Sequence, residues 1–315
     1  MISGIFAGIC WALGTVVLGI ALGMSQFVTS EEAIILAPFV STFLHDAVSA
    51  VFMWIYNAVC GSIKELFSLF KTKDFKWLVA ASAIGGPIGM TGYVMAVNYM
   101  GASIGAVASA VYPAIGTALA ALFLKERVRW YQWIFLVFTL FGVFGLSYSP
   151  GGIVSNFWLG LLGAFMCAFG WGIEAVILAK CLKNPKIKNE HVLAIRQTTS
   201  SLCYGALILP ILSAWRFTAD LFNKESVGLI LTVALAALCS SISYLFYYKA
   251  IAKLGASKAM ALNITYTAWA IVFTVIIVRD LSVLTPKTIL CALAVVVFGI
   301  LAACDVKELF KRREK

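Results

Sequence analysis

The stretch Met95-Ala-Val-Asn-Tyr-Met-Gly-Ala-Ser-Ile-Gly-Ala-Val-Ala-Ser-Ala-Val-Tyr112 returns 154 positions later as Lys249-Ala-Ile-Ala-Lys-Leu-Gly-Ala-Ser-Lys-Ala-Met-Ala-Leu-Asn-Ile-Thr-Tyr266. At that single offset Tyr93 falls on Tyr247, Ala96 on Ala250, Gly101-Ala-Ser103 on Gly255-Ala-Ser257, Tyr112 on Tyr266 and Lys125-Glu126 on Arg279-Asp280. The second half of the chain is a diverged copy of the first. In a chain this apolar, an internal duplication points to a transporter.

Composition sets the class. Hydrophobic residues make up 62 % of the 315 positions and charged ones 12 %, with mean hydropathy +0.97. Soluble domains average about 45–50 % apolar and about 25 % charged. A helix needs about 20 apolar residues to cross the roughly 30 Å hydrocarbon layer, where it closes its own backbone hydrogen bonds. Ten such stretches lie near 2–22, 34–59, 77–98, 103–123, 131–148, 157–179, 192–214, 227–249, 257–278 and 286–304. The expected fold is an all-α polytopic membrane protein with ten spans. Spans three and four, and eight and nine, form matching tight hairpins across Gly101-Ala-Ser103 and Gly255-Ala-Ser257.

Charge fixes the expected orientation. With the N-terminus inside, 19 Lys and Arg fall on the inner side, in 60–76, 125–129, 180–188, 249–258 and after Asp305. Arg216, Lys224, Arg279 and Lys287 fall on the other, and Arg196 sits near the start of span seven. That bias predicts a cell-membrane protein with both termini cytoplasmic. Five spans per copy is an odd number, so the copies enter the membrane in opposite senses as an inverted repeat. The expected units are 1–149, 156–306 and a basic tail, 307–315. The net charge of +10 reads as positive-inside loops and contact with anionic lipid rather than nucleic acid binding.

No metal or cofactor is expected. The eight cysteines lie in or beside spans without paired spacing, and neither His45 nor His191 belongs to a zinc-ligand pattern. No constellation of nucleophile and base points to an enzyme. Glycines cluster as Gly4-x-x-x-Gly8, Gly85-x-x-x-Gly89 and Gly101-x-x-x-Gly105, a spacing that lets helices approach closely.

Ionisable residues inside a membrane are costly and mark function by default. His45 and Asp46 lie halfway along span two and Glu174 lies within span six. Glu174 and Asp46 are the candidate proton or coupling carriers. Trp11 and Trp171 sit well inside spans one and six, which match as Trp11-Ala-Leu-Gly14 and Trp171-Gly-Ile-Glu174 at an offset of 160. With Tyr93, Tyr112, Tyr244, Tyr247, Tyr266 and Trp269 they are expected to wall one chamber, with Asn263 orienting a polar end of the solute. An aromatic chamber with a carboxylate suits a small organic cation, because a quaternary ammonium group is held by ring faces. The same rings would also surround an aromatic amino acid or a neutral metabolite.

The five-plus-five spans, the segment Val111-Tyr112-Pro113 to Lys125-Glu126-Arg127 and the Gly-x-x-Trp11-Ala start resemble the EamA family of the drug/metabolite transporter superfamily. The second copy departs from that pattern, with Thr267 in place of Pro113 and Arg279-Asp280 in place of Lys125-Glu126. The resemblance implies a pseudo-symmetric fold, a central cavity built from spans one, three, four, six, eight and nine, and alternating access. Glu126 is then expected at the cytoplasmic end of span four. The segment Gly85-Gly-Pro-Ile-Gly-Met-Thr91-Gly-Tyr93 is similar to that of choline-uptake permeases of bacterial choline operons. Choline uptake is one expected activity and export of amino acids, other zwitterionic or neutral metabolites, or drugs is the other; a membrane sensor without transport and an intramembrane enzyme are the remaining alternatives. Without a nucleotide-binding motif, an ion or substrate gradient or the membrane potential, about 2.3 kcal/mol per charge per 100 mV, supplies the energy.

Overall fold

The computed structural model describes residues 1–100, 110–147 and 156–305. Ten helices carry the fold: α1 (Ile2–Leu22), α2 (Glu31–Val59), α3 (Lys73–Ala83, a π-turn Ile84–Ile88 and Gly89–Met100), α4 (Tyr112–Phe123) and α5 (Trp130–Ser147). The second set is α6 (Phe157–Cys181), α7 (Asn189–Ile211), α8 (Val227–Leu254), α9 (Ala256–Val278) and α10 (Pro286–Ala303). No strand occurs among the described residues. Among the described residues, nine of these helices are long and apolar enough to span a bilayer, and the described part of α4, Tyr112–Phe123, is shorter. The residues leading into α4, with the Gly101 to Gly105 pair and most of the first Gly-Ala-Ser hairpin, lie outside the described residues, as does the 307–315 tail.

The contacts between helices follow a two-fold exchange of the copies. Helix α1 packs on α8 and α9, as α6 packs on α3 and α4, while α2 meets its own counterpart α7 and α5 meets α10. Lipid takes the place that water has around a soluble protein. Phe141, Leu231 and Leu290 are exposed, whereas Ser49, Ser200 and Gln197 are fully buried.

Local chemistry sets the ends and bends. Ser30, Asn156 and Thr285 cap α2, α6 and α10, their side-chain oxygens accepting from Ala33, Leu159 and Thr288 N–H, which satisfies orphan donors at helix starts. Pro38 lies inside α2, where the Ser41 and Thr42 hydroxyls donate to its carbonyl at 3.2 and 2.7 Å. Wider turns interrupt α3 at Ile84–Ile88 and α7 at Tyr204–Ile208; such π-turns recur at functional sites.

Glycine permits the closest approaches. A Cβ on Gly4 would meet Leu262, and one on Gly8 would meet Thr265, so this pair seats α1 on α9. Gly85 and Gly89 likewise seat α3 against Glu174 and Trp171 of α6. Between α8 and α9, Gly255 turns the chain with φ +87°, a conformation glycine adopts at little cost. The Glu126 carboxylate, just beyond α4, accepts from Ala256 N–H (2.8 Å), Ser257 N–H (3.1 Å) and the Ser257 hydroxyl (2.6 Å). A carboxylate from the first copy thus caps a helix start in the second.

Candidate substrate site

Two adjoining cavities lie among the crossing helices. The larger, of about 370 Å³, is lined by α1 from Trp11 to Leu22, α2 from Pro38 to Asp46, α3 from Gly86 to Val97, and by Trp171, Arg196, Ser240, Tyr244 and Tyr266. Small-molecule sites run from about 300 to 1,000 Å³. Its walls follow α1 to its C-terminal end and α2 back toward its N-terminal end, so it is a vestibule reaching one face of the bundle. Glu126 and its helix cap lie at the opposite face. The smaller recess, of about 60 Å³, shares Trp11, Trp171, Tyr244 and Tyr266 with the vestibule and continues past them to Tyr112, Glu174, Tyr247, Tyr248 and Asn263.

The rings at this junction come in cross-copy pairs. Trp11 meets Tyr266 with ring centres 6.4 Å apart, and Trp171 meets Tyr112 at 5.4 Å, both edge-on. Trp171 also stacks on Tyr93 at 6.0 Å, while Trp11 meets Tyr244 at 5.0 Å. The ring serving Trp11 as Tyr93 serves Trp171 is therefore Tyr244, about one turn before the Tyr247 that the sequence offset selects. Tyr247 packs on Tyr248 at 6.0 Å and lines the recess. Asn263 donates from Nδ2 to the Tyr112 hydroxyl at 3.2 Å. Its Oδ1, and the Tyr248 hydroxyl, have no hydrogen-bond partner among the described residues.

Charge gathers beside the rings. The Arg196 guanidinium lies between two carboxylates, with Nε 3.3 Å from Glu174 Oε1 and Nη1 3.4 Å from Asp46 Oδ2. Nη1 also donates to Gln197 Oε1 at 2.7 Å, and the guanidinium carbon lies 4.8 Å from the Tyr244 ring centre. Asp46 is held from its other side by His45 Nδ1 at 2.9 Å. Asp46, Glu174 and Arg196 are 3 %, 7 % and 5 % exposed. At such burial, unpaired ions would be very costly, and the pairing is what makes the cluster tenable. Gly85 makes room for it, because a Cβ there would overlap the Glu174 carboxylate.

Of the residues singled out from sequence, Trp11, Tyr112, Trp171, Glu174, Tyr244, Tyr247, Asn263 and Tyr266 meet around the recess, and Tyr93 and Asp46 line the vestibule. Trp269 lines neither cavity, and its indole N–H is buried without a partner among the described residues. The residue that sequence reasoning passed over is Arg196. It lies two turns into α7, where an arginine is as exceptional as the carboxylates it joins. Helices α2 and α7, absent from the set of cavity helices implied by resemblance, supply Asp46 and Arg196.

The profile of the EamA-like transporter family matches residues 1–148 and 158–303, nearly the whole chain in two blocks. The chain belongs to the EamA-like transporter family. Among curated proteins, this EamA chain is 29 % identical over 272 residues to "Protein LicB" of Haemophilus influenzae (strain ATCC 51907 / DSM 11121 / KW20 / Rd), covering 85 % of each. A solved crystal structure superposes on it with TM-score 0.69 at 18 % identity over 96 % of both chains, a likeness that speaks for the fold alone. The EamA chain is a multi-pass membrane transporter by family and by its apolar helices.

Proposed function

We propose that this transporter carries a small organic cation of the choline type, a quaternary amine bearing a hydroxyl, through the junction of vestibule and recess. The observation that carries this reading is the joint wall of Trp11, Trp171, Tyr244 and Tyr266 beside two carboxylates and one guanidinium. Each ring face presented to a desolvated cation contributes about 0.5–2 kcal/mol, and the carboxylates exceed the guanidinium by one charge. The free Asn263 Oδ1 is an acceptor for a substrate hydroxyl. The resemblance of the Gly85 to Tyr93 segment to choline-uptake permeases points the same way.

Alternating access is part of the proposal. Its support is the vestibule reaching one face while the Glu126 cap lies at the other. With the N-terminus cytoplasmic, the vestibule lies toward the outer side, while a separate cavity of about 190 Å³ adjoins the Glu126 cap. A monocation then enters down an inside-negative potential.

A second reading has its own observation. Arg196 lines the vestibule and could receive a carboxylate, as an amino acid or another zwitterion would require. Thermal melting of purified protein against choline, betaine and aromatic amino acids, followed by isotope counterflow in liposomes, separates the two, since a ligand of the folded state raises the melting temperature with concentration. Stabilisation and counterflow with choline are expected. A response only to zwitterions would overturn the cation reading.

A further inference from the structure

Arg196 carries chemistry that an aromatic cation site does not by itself require. It is bound to both carboxylates, which come from two other helices, and it lies over Tyr244, one of the four rings shared by the two cavities. With both carboxylates ionised, two against one guanidinium leave a single negative charge on the Asp46, Glu174 and Arg196 cluster. We propose that Arg196 sets the valence of the transported ion: by neutralising one carboxylate it leaves a site matched to one positive charge and closed to two. This rests on the organic-cation reading and adds to it the residue that determines charge selectivity.

The argument is electrostatic. In a poorly screened site, with an effective dielectric of about 20 against about 80 in bulk water, two unit charges about 4 Å apart interact about four times more strongly than they do in water. A monocation neutralises the cluster. A dication leaves a buried surplus positive charge beside the Arg196 guanidinium, which the burial of this site penalises. Without the guanidinium the count becomes two negatives, and a dication becomes the neutral complex. The ring faces are the same in both cases, so shape does not distinguish the two ions and charge does.

The test uses a matched pair, 3-hydroxypropyl-trimethylammonium and 3-aminopropyl-trimethylammonium, which share a skeleton and carry one and two positive charges. Binding of both is measured on the full-length purified protein. The wild type should prefer the monocation by about tenfold or more, and Arg196→Gln should reverse the order by a similar factor. The double variant Arg196→Gln with Glu174→Gln, again with one surplus negative charge, should return the preference to the monocation. A guanidinium that only held helices together would predict weaker binding of both ions without reversal.

Asp46→Asn keeps Arg196 and brings the count to zero, so it tests the same arithmetic should Arg196→Gln fail to fold. It should lower the preference for choline over betaine by about tenfold. An unchanged ratio in a folded Arg196→Gln protein, or an unchanged choline-to-betaine ratio in Asp46→Asn, overturns the proposal. A wild type that binds neither trimethylammonium ion overturns the cation reading itself.

Discussion

Replacing Gly85 with alanine should dismantle the charged cluster without touching a charged residue. The added Cβ would sit 2.7 Å from the Glu174 Cβ and overlap the carboxylate, where ordinary contacts run 3.4–4 Å. Helix α6 has little freedom to yield at this level, because Gly170 there lies against the Ile84 carbonyl and Gly89. Glu174 must therefore swing away, stretching its 3.3 Å contact with Arg196 Nε. Overpacking of this kind costs about 1–3 kcal/mol, and weakening a hydrogen bond to a buried charge about 1.5–3 kcal/mol more. At roughly 2 °C per kcal/mol for a chain of this size, the sum of about 2.5–6 kcal/mol lowers the melting temperature by about 5–12 °C. Gly228→Ala in α8 is the control, because nothing lies within 4 Å of its added Cβ; it should be neutral or gain about 0.4–1 kcal/mol. Differential scanning fluorimetry of the two variants, with choline titrated into each, makes the comparison. A Gly85→Ala protein melting within about 2 °C of wild type with cation affinity intact would refute the reasoning that this missing side chain makes room for Glu174.

Glu126→Ala removes three hydrogen bonds from the start of α9 and should cost about 2–4 kcal/mol, with Glu126→Gln recovering part of that, read as the order of melting temperatures. Trp171→Leu should weaken choline binding by about 2- to 30-fold in calorimetry, whereas Trp158→Leu, at a lipid-facing position 76 % exposed, should leave it unchanged. Asn263→Leu should weaken choline about 3- to 10-fold and spare ethyltrimethylammonium, which lacks the hydroxyl; equal losses for both would remove Asn263 from hydroxyl recognition.

The fold was legible because hydropathy and repetition are summed signals. Ten apolar runs and one recurring hairpin need no single residue to be read correctly, and the exchange of α1 against α8 and α9 for α6 against α3 and α4 follows from the duplication. The ring cluster was legible for a related reason: Trp11, Trp171, Tyr112 and Tyr266 stand where both copies keep an aromatic. Tyr244 and Tyr247 mark the limit of that method. An offset taken from the Gly-Ala-Ser hairpin fixes register near the hairpin, but a difference of one turn in how α8 and α3 approach their partners brings Tyr244 rather than Tyr247 to the tryptophan. Arg196 was hidden by averaging, since Ala194, Ile195 and the apolar residues after Ser201 make α7 a span despite it. Trp269 shows the converse, an aromatic in the right helix but outside both cavity walls.

Duplication and divergence contribute different parts of this site. Rings come in pairs, one from each copy, as Trp11 with Tyr266 mirrors Trp171 with Tyr112. Charges come singly. The partner of Glu174 at the offset of 160 is Gly14, and a Cβ on Gly14 would meet Ser240 of α8, just as Glu174 meets Gly85 of α3. At the same helix crossing, one copy holds a glycine against a serine and the other a glutamate against a glycine. Asp46 and Arg196 are equally unmatched, facing Ser200 and Thr42 at the offset of 154. A symmetric chamber of rings could accept a cation in either of two orientations. The unpaired Glu174, Asp46 and Arg196 break that degeneracy, and under the organic-cation proposal they fix which way the ammonium group points.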